Sequence, residues 1–358
     1  MALSKILNAS VTDSTLTTTK LATPNLGRRN VLINGDMQVA QRGTSTTLAH
    51  DGTTDGYSPD RFRFTMGGTH EQLDGTVAQV ADHPTSTNGK SLKWTTGTAE
   101  SSYDADEYVY IVQKIEAQNL QHLEYGNSNA KAITISFYVK SSITGTYAFG
   151  LYKEDSTARI FNKTYTIDSA NTWEKKTLTF VGDTDSGAGI VNDNGTGLYV
   201  SWHLSAGTNT KGGGSVGAWK NYSGLTDWAD GQATNAIMTT ASATFQITEC
   251  QLEVNSQATP FEHRSFGEEL ALCHRYCNAL LEYGTGDTDN NRIYNADYAG
   301  ANGMARMGYP RMRARPNSTY SIANGTISQD FSSNGLIQLF DSGDSNFYIY
   351  DLIVEKEL

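Results

Sequence analysis

From Lys131 to Lys140 every second side chain is apolar: Ile133, Ile135, Phe137 and Val139 alternate with Thr134, Ser136 and Tyr138. A strand turns successive side chains to opposite faces, so this period-two text belongs to a strand with one face in a core. The pattern returns in Tyr147, Phe149 and Leu151, in Leu178 and Phe180, and in Leu198, Val200, Trp202 and Leu204. Several such strands must bury their apolar faces against a second layer, and two facing antiparallel sheets are the simplest solution. Composition agrees: 34 Gly, 18% charged residues and an abundance of Thr, Ser and Asn describe short strands and many turns, not a helical bundle.

In ATFQITECQLEV the apolar set changes parity, from Phe245 and Ile247 to Cys250, Leu252 and Val254. A strand that changes face without ending needs an extra residue, which predicts a β-bulge near Thr248 and Glu249. Trp94, Trp173 and Trp202 sit in strand-like text and are expected in the core. Long insertions rich in Gly, Asn and Asp, at Gly182 to Gly197 and Ala206 to Ala236, separate the strands.

The expected fold is therefore all-β: a jelly-roll β-sandwich over residues 30–262, preceded by an extended arm at 1–29 and followed by one connecting helix at 263–284 and a small C-terminal β module at 285–358. The helix is read from a capping box, Ser265 with Glu268, and from a stripe of Leu270, Cys273, Cys277 and Leu280 or Leu281 that Gly284 stops, giving a helix from about Phe266 to Tyr283. In the C-terminal module, turn signals at Asn324 to Thr326 and at Asn334 and Gly335 precede FYIYDLIV, apolar on both faces and expected to be buried between subunits. The first 29 residues carry too little apolar surface to fold alone. They read as a flexible tail or as an arm that docks through Leu3, Ile6, Leu7, Leu16 and Leu21.

With 27 Lys+Arg against 38 Asp+Glu the net charge is −11, which argues against a nucleic-acid partner. No apolar run approaches the ~20 residues of a membrane span, so no membrane insertion is expected. The opening MALSKILNAS lacks a secretory h-region, which places synthesis in a cytosol. The 3 Cys read as free thiols.

Two segments carry a resemblance: NVLINGDMQVAQRGTS at Asn30 to Ser45 with SPDRF at Ser58 to Phe62, and ECQLEVNSQATPFEHRSFGEELALCHRY at Glu249 to Tyr276. Both resemble bacteriophage virion proteins of tail-fibre type, over roughly Asn30 to Tyr283. The resemblance implies a carbohydrate-binding-module-like jelly roll on a homotrimeric virion appendage, an N-terminal arm that engages other virion proteins, a host surface glycan as ligand, and no catalytic motif. The alternatives from other classes are a capsid decoration or head-fibre cement protein and, behind it, a polysaccharide depolymerase.

Candidate ligand contacts lie in KGGGSVGAWKNYSGLTDWADG, where Trp219, Tyr222 and Trp228 could stack on sugar C–H faces while Lys220 and Asp227, with Asn221 and Asp230, bond hydroxyls. The same residues could instead pin the loop to its own sandwich. Arg306, Arg311, Arg313 and Arg315 form a basic concentration that would suit an anion or an acidic partner, or lie on a solvated strand face. Acidic clusters at Asp104, Asp106 and Glu107, at Asp183 and Asp185, at Asn192 to Asn194 and at Asp287 and Asp289 read as turns or as oxygen ligands for a structural calcium. No other cofactor or metal is expected. Cys273, His274 and Cys277 lack the second pair that zinc needs, and the remaining histidines form no catalytic arrangement in sequence.

Overall fold

A computed structural model of the chain describes residues 28–212 and 216–281 and, towards the C-terminus, 304–308, 312, 317–323, 327–332, 336–341 and 348–358. Two antiparallel sheets face each other. One has six strands in the order β1 (Ser45–Ala49), β4 (Asp74–Val80), β5 (Ser91–Thr96), β13 (Thr244–Glu253), β7 (Ile133–Ser141), β10 (Glu174–Phe180). The other has seven, in the order β12 (Lys220–Asn221), β9 (Arg159–Ile167), β8 (Gly145–Lys153), β11 (Thr196–Ala206), β6 (Tyr108–Glu116), β3 (Arg63–Gly67), β2 (Asp55–Tyr57). This is the expected β-sandwich.

The alternation places the core as read. Ile133, Ile135, Phe137 and Val139 of β7, Phe149 and Leu151 of β8, and Leu198, Val200, Trp202 and Leu204 of β11 are buried in one cluster between the sheets. Trp202 lies edge-on to Phe137 and Phe149, with centroids 5.8 and 5.1 Å away, and Trp94 stacks on Phe64 at 4.3 Å. Trp173 departs from expectation. It precedes β10, is half-buried, and gives its indole N–H to Asp82 at 3.1 Å.

The bulge in β13 is present: pairing with β7 shifts register between Thr248 and Gln251, and Glu249 adopts φ 47°. The extra residue lets Phe245 and Ile247 and then Cys250 and Leu252 all face the core. Helix α1 (Phe266–Cys273) starts as predicted, with Ser265 Oγ accepting the Glu268 N–H at 3.3 Å.

Its end does not match the prediction. After Cys273 the chain turns, and Cys277–Leu281 is strand β14, paired with β19 (Tyr348–Glu355). Cys277 and Leu281 satisfy a helical stripe and a strand equally, and tertiary pairing decides between them: Gln41 Nε2 holds the Cys277 carbonyl at 2.8 Å, and Tyr276 lies buried beneath the Arg61 guanidinium. Strand β19 runs between β14 and β16 (Asn317–Ala323), while β15 (Met304–Gly308), β18 (Leu336–Asp341) and β17 (Ile327–Ser332) form a further sheet. The C-terminal tail returns to the sandwich through Glu355 and Glu357, which pair with Arg42 at 2.6 and 3.0 Å, and Glu357 also pairs with Arg61.

Leu3, Ile6, Leu7, Leu16 and Leu21, and likewise Asp287, Asp289, Arg311, Arg313 and Arg315, lie outside the described residues. Arg306 falls in β15, where only the backbone is described.

Candidate functional site

On β6, β8 and β11 the residues out of phase with the core point away from the six-stranded sheet. They are aromatic far more often than a solvated face requires: Tyr108 and Tyr110 on β6, Tyr199 on β11 and Tyr152 on β8. Across the neighbouring strands Tyr199 lies opposite Tyr152, while Tyr110 lies opposite His203 further along β11, so the rings form two pairs at different heights on one face, here called the row. Tyr108 and Tyr110 stack at 5.8 Å, and Tyr152 meets Tyr199 edge-on at 5.0 Å. Tyr108, Tyr152 and Tyr199 are half-buried, each with part of its ring in solvent.

The Gly-rich insertion after β11 folds back onto this row. Trp228 drops into it, 6% exposed, edge-on to Tyr110 at 5.3 Å, Tyr152 at 5.5 Å and His203 at 5.8 Å. Asn162 Nδ2 holds the Asp227 carbonyl at 2.7 Å, and Ala148 N–H donates to Gln232 Oε1 at 2.7 Å. Tyr222, carried by the same insertion, extends the row with its ring 4.7 Å from Tyr152.

The aromatic trio picked out in the sequence is thus divided. Trp219 packs at the core side, edge-on to Tyr125 and Phe161 at 5.6 and 5.5 Å, with its indole N–H on the Val181 carbonyl at 2.8 Å. Trp228 is a buried support. Trp219 and Tyr222 are both half-buried, and Tyr222 lies beside tyrosines that the sequence reading passed over. Their signal was legible in principle: aromatic residues at the outward parity of three separate strands. Lys220 and Asp227 are engaged with each other at 2.6 Å, Lys220 also reaches Asp230 at 2.5 Å, and Asp227 accepts from the Ser223 amide and hydroxyl at 2.6 and 2.7 Å. They fix the loop.

Polar groups border the row. Tyr199 Oη donates to Glu154 at 2.8 Å, Lys114 Nζ lies 4.6 Å above the Tyr199 ring, and Arg63 pairs with Asp55 at 3.0 Å. Burial pushes the Tyr222 phenol up to about 12, aided by Tyr152 and Asp227, and burial together with Glu154 raises that of Tyr199. The rings are therefore neutral hydrogen-bonding phenols across the physiological range. A hollow beside the row, lined by Tyr57, Arg61, Arg63, Val112, Lys114 and Glu357, has about 10 Å³, room for one water. The row is an open platform of apolar faces with hydroxyls and charges at its margin. Such a surface suits a ligand that is flat, hydroxylated and weakly apolar on one side.

The acidic clusters resolve separately. Asp183 is buried and bound bidentately by Arg159, at 2.5 and 3.0 Å, with Asp185 3.5 Å from the same guanidinium. Asp193 closes a turn by accepting the Gly195 amide at 2.8 Å. Glu107 alone of its cluster turns inward, to His70 and Glu100.

No family model matches the chain, and no curated protein matches it. Solved structures similar to it include the enzymatically active domain of bacteriophage CBA120 tailspike protein 4, at 10% identity and TM-score 0.32 over 63% of this chain and 22% of that one. The chain thus spans about a fifth of that domain's length. The family 11 carbohydrate-binding module of a Clostridium thermocellum cellulosomal cellulase aligns at 11% identity and TM-score 0.29 over 63% of this chain and 96% of the module. The family 11 module in complex with a β-1,3-1,4-mixed-linked tetrasaccharide aligns at 12% and 0.29, over 60% and 98%. Likeness of this size transfers no ligand.

Proposed function

We propose that the chain is a glycan-binding virion protein, and that glycan lies along Tyr108, Tyr152, Tyr199 and Tyr222 on the outer face of the seven-stranded sheet. The observation that carries this reading is the row itself. Tyr152 and Tyr199 lie opposite each other on adjacent strands with Tyr222 beside Tyr152, all three half-exposed around the buried Trp228, and pyranose rings stack on such faces while their hydroxyls reach side groups such as Glu154. The site is open, which suits binding of segments within a polymer.

The virion assignment rests on the resemblance of Asn30 to Ser45 and Glu249 to Tyr276 to phage appendage proteins. In the fold those segments form one unit. The Arg28 and Asn30 amides donate to Glu262 at 2.6 and 2.8 Å, Arg264 donates to the Leu32 carbonyl at 3.1 Å, and the Asn34 amide donates to Glu269. A trimer would multiply modest single-site affinity by avidity.

Titration calorimetry of the protein against purified host surface polysaccharide tests the site. Tyr152→Ala and Tyr222→Ala should each weaken binding several-fold, and unchanged affinity in both would refute it. Release of reducing ends from that polysaccharide would show an enzyme instead.

A further inference from the structure

His70, Glu100 and Glu107 come from the β3–β4 loop and from the two ends of the β5–β6 connection, and they converge in the interior. Their side chains are 2%, 1% and 0% exposed. His70 Nδ1 is 3.4 Å from Glu100 Oε1 and 3.3 Å from Glu107 Oε1, and one donor atom from each residue lies within 4.8 Å of the other two.

These contacts are close but are not hydrogen bonds. Both ring nitrogens of His70, Oε2 of Glu100 and Oε1 of Glu107 are buried without a hydrogen-bond partner. Buried polar atoms without partners are rare because each carries a desolvation penalty, and four around one point need an explanation. Two buried carboxylates also repel each other, and among the described residues no Lys or Arg pairs with either. A proton can relieve one carboxylate but leaves the imidazole misaligned. A cation at the centre relieves all three residues.

We propose that His70, Glu100 and Glu107 bind a divalent first-row transition ion, of which Zn²⁺ is the representative. Zinc bonds of ~2.0–2.2 Å to nitrogen and oxygen set tetrahedral ligand separations of ~3.3–3.6 Å, and the 3.3 Å from His70 Nδ1 to the unpartnered Glu107 Oε1 falls at that spacing. An imidazole with two carboxylates favours such an ion over Ca²⁺, which prefers six to eight oxygens.

The carboxylates are already oriented. Glu100 Oε1 accepts the Glu71 and Leu73 amides at 3.1 and 3.0 Å, and Glu107 Oε2 accepts the Asp104 amide at 3.0 Å. These bonds leave the other oxygen of each carboxylate for the ion, as outer partners of metal ligands do. The backbone carbonyls of Gly67 and Tyr108 also lie near the His70 ring. The ion would tie two loops together at the strand end that carries Tyr108, the first ring of the aromatic row.

The test uses tag-free full-length protein, stripped with chelator and dialysed, then mixed with ZnCl₂ or CaCl₂. Zinc should bind at one equivalent by elemental analysis and raise the melting temperature by several degrees when in large excess over its dissociation constant. Glu107→Gln keeps the shape and removes one charge. It should melt at or above the metal-free wild type and lose most of the zinc response, and His70→Ala should lose zinc as well. Less than a tenth of an equivalent of zinc on the wild type, an equal zinc shift in Glu107→Gln, or a response to calcium alone would overturn the proposal.

Discussion

Gly35 lies directly against the carbonyl of Cys250, and a Cβ at position 35 would overlap that oxygen. The contact is held from both sides: the Cys250 amide donates to the Gly35 carbonyl at 2.9 Å, and Asn30 Nδ2 donates to the Cys250 carbonyl at 2.9 Å. The bulge of β13 and the chain entering the sandwich therefore fit only if residue 35 has no side chain. Gly35→Ala should cost ~2–3 kcal/mol by displacing backbone from backbone. Urea unfolding measures this, and a loss under 0.5 kcal/mol would show that the entry segment moves freely away from β13.

The same junction shows how much was legible in the sequence. The parity change from Ile247 to Cys250 announced the bulge, because a core face can be kept only by inserting a residue. The strand text of β7, β8 and β11 was equally plain. The end of α1 was not, since Cys277 and Leu281 fit periods of 3.6 and of 2, and only pairing with β19 chooses between them. The ligand face was half legible. A tyrosine at an outward position looks like any polar residue until strand pairing sets Tyr199 opposite Tyr152 and the insertion brings Trp228 against both and against Tyr110. His70, Glu100 and Glu107 meet only because two loops pack together, and no spacing within one element records it.

Trp228 and Tyr222 belong to one loop but should respond differently to truncation. Trp228 is enclosed by Tyr110, Tyr152, Tyr199 and His203, so Trp228→Ala leaves a cavity and should cost ~3–5 kcal/mol. Tyr222 is half-buried, so Tyr222→Ala should cost under about 1.5 kcal/mol while weakening glycan binding. Denaturation and calorimetry on both variants separate the roles. Equal stability losses would mean that Tyr222 is also a support and not a contact.

His203 lies fully buried beneath Trp228, with Ser201 Oγ at 3.2 Å from Nε2 and no partner on Nδ1. Burial lowers its imidazole to about 3. The folded state therefore binds fewer protons than the unfolded chain, whose imidazole titrates near 6.5. The neutral ring's contribution is complete above pH 6.5 and is lost as pH falls towards 3, at up to ~1.4 kcal/mol per pH unit. His203→Gln should flatten this part of the stability profile between pH 6.5 and 4.5. A wild-type profile parallel to that of the variant would mean that the ring is hydrated or paired in solution.

Asp183 was a candidate calcium ligand by sequence, and its surroundings give it another task. Both of its oxygens are taken by the Arg159 guanidinium, whose Nη1 also reaches Asn221 at 2.6 Å, so the pair joins the Gly182 to Gly197 insertion to β9 and β12. Removing one partner of a buried pair strands the other charge in a poorly solvated site. Asp183→Asn should therefore cost about 3 kcal/mol. Arg159→Lys should cost somewhat less, because an ammonium keeps the charge but cannot reproduce the bidentate fork. Added calcium should leave the melting temperature of the wild type unchanged through this site, since an ion would have to displace the guanidinium. If calcium stabilised the wild type but not Asp183→Asn, the carboxylate would be a metal ligand, with Arg159 as its stand-in.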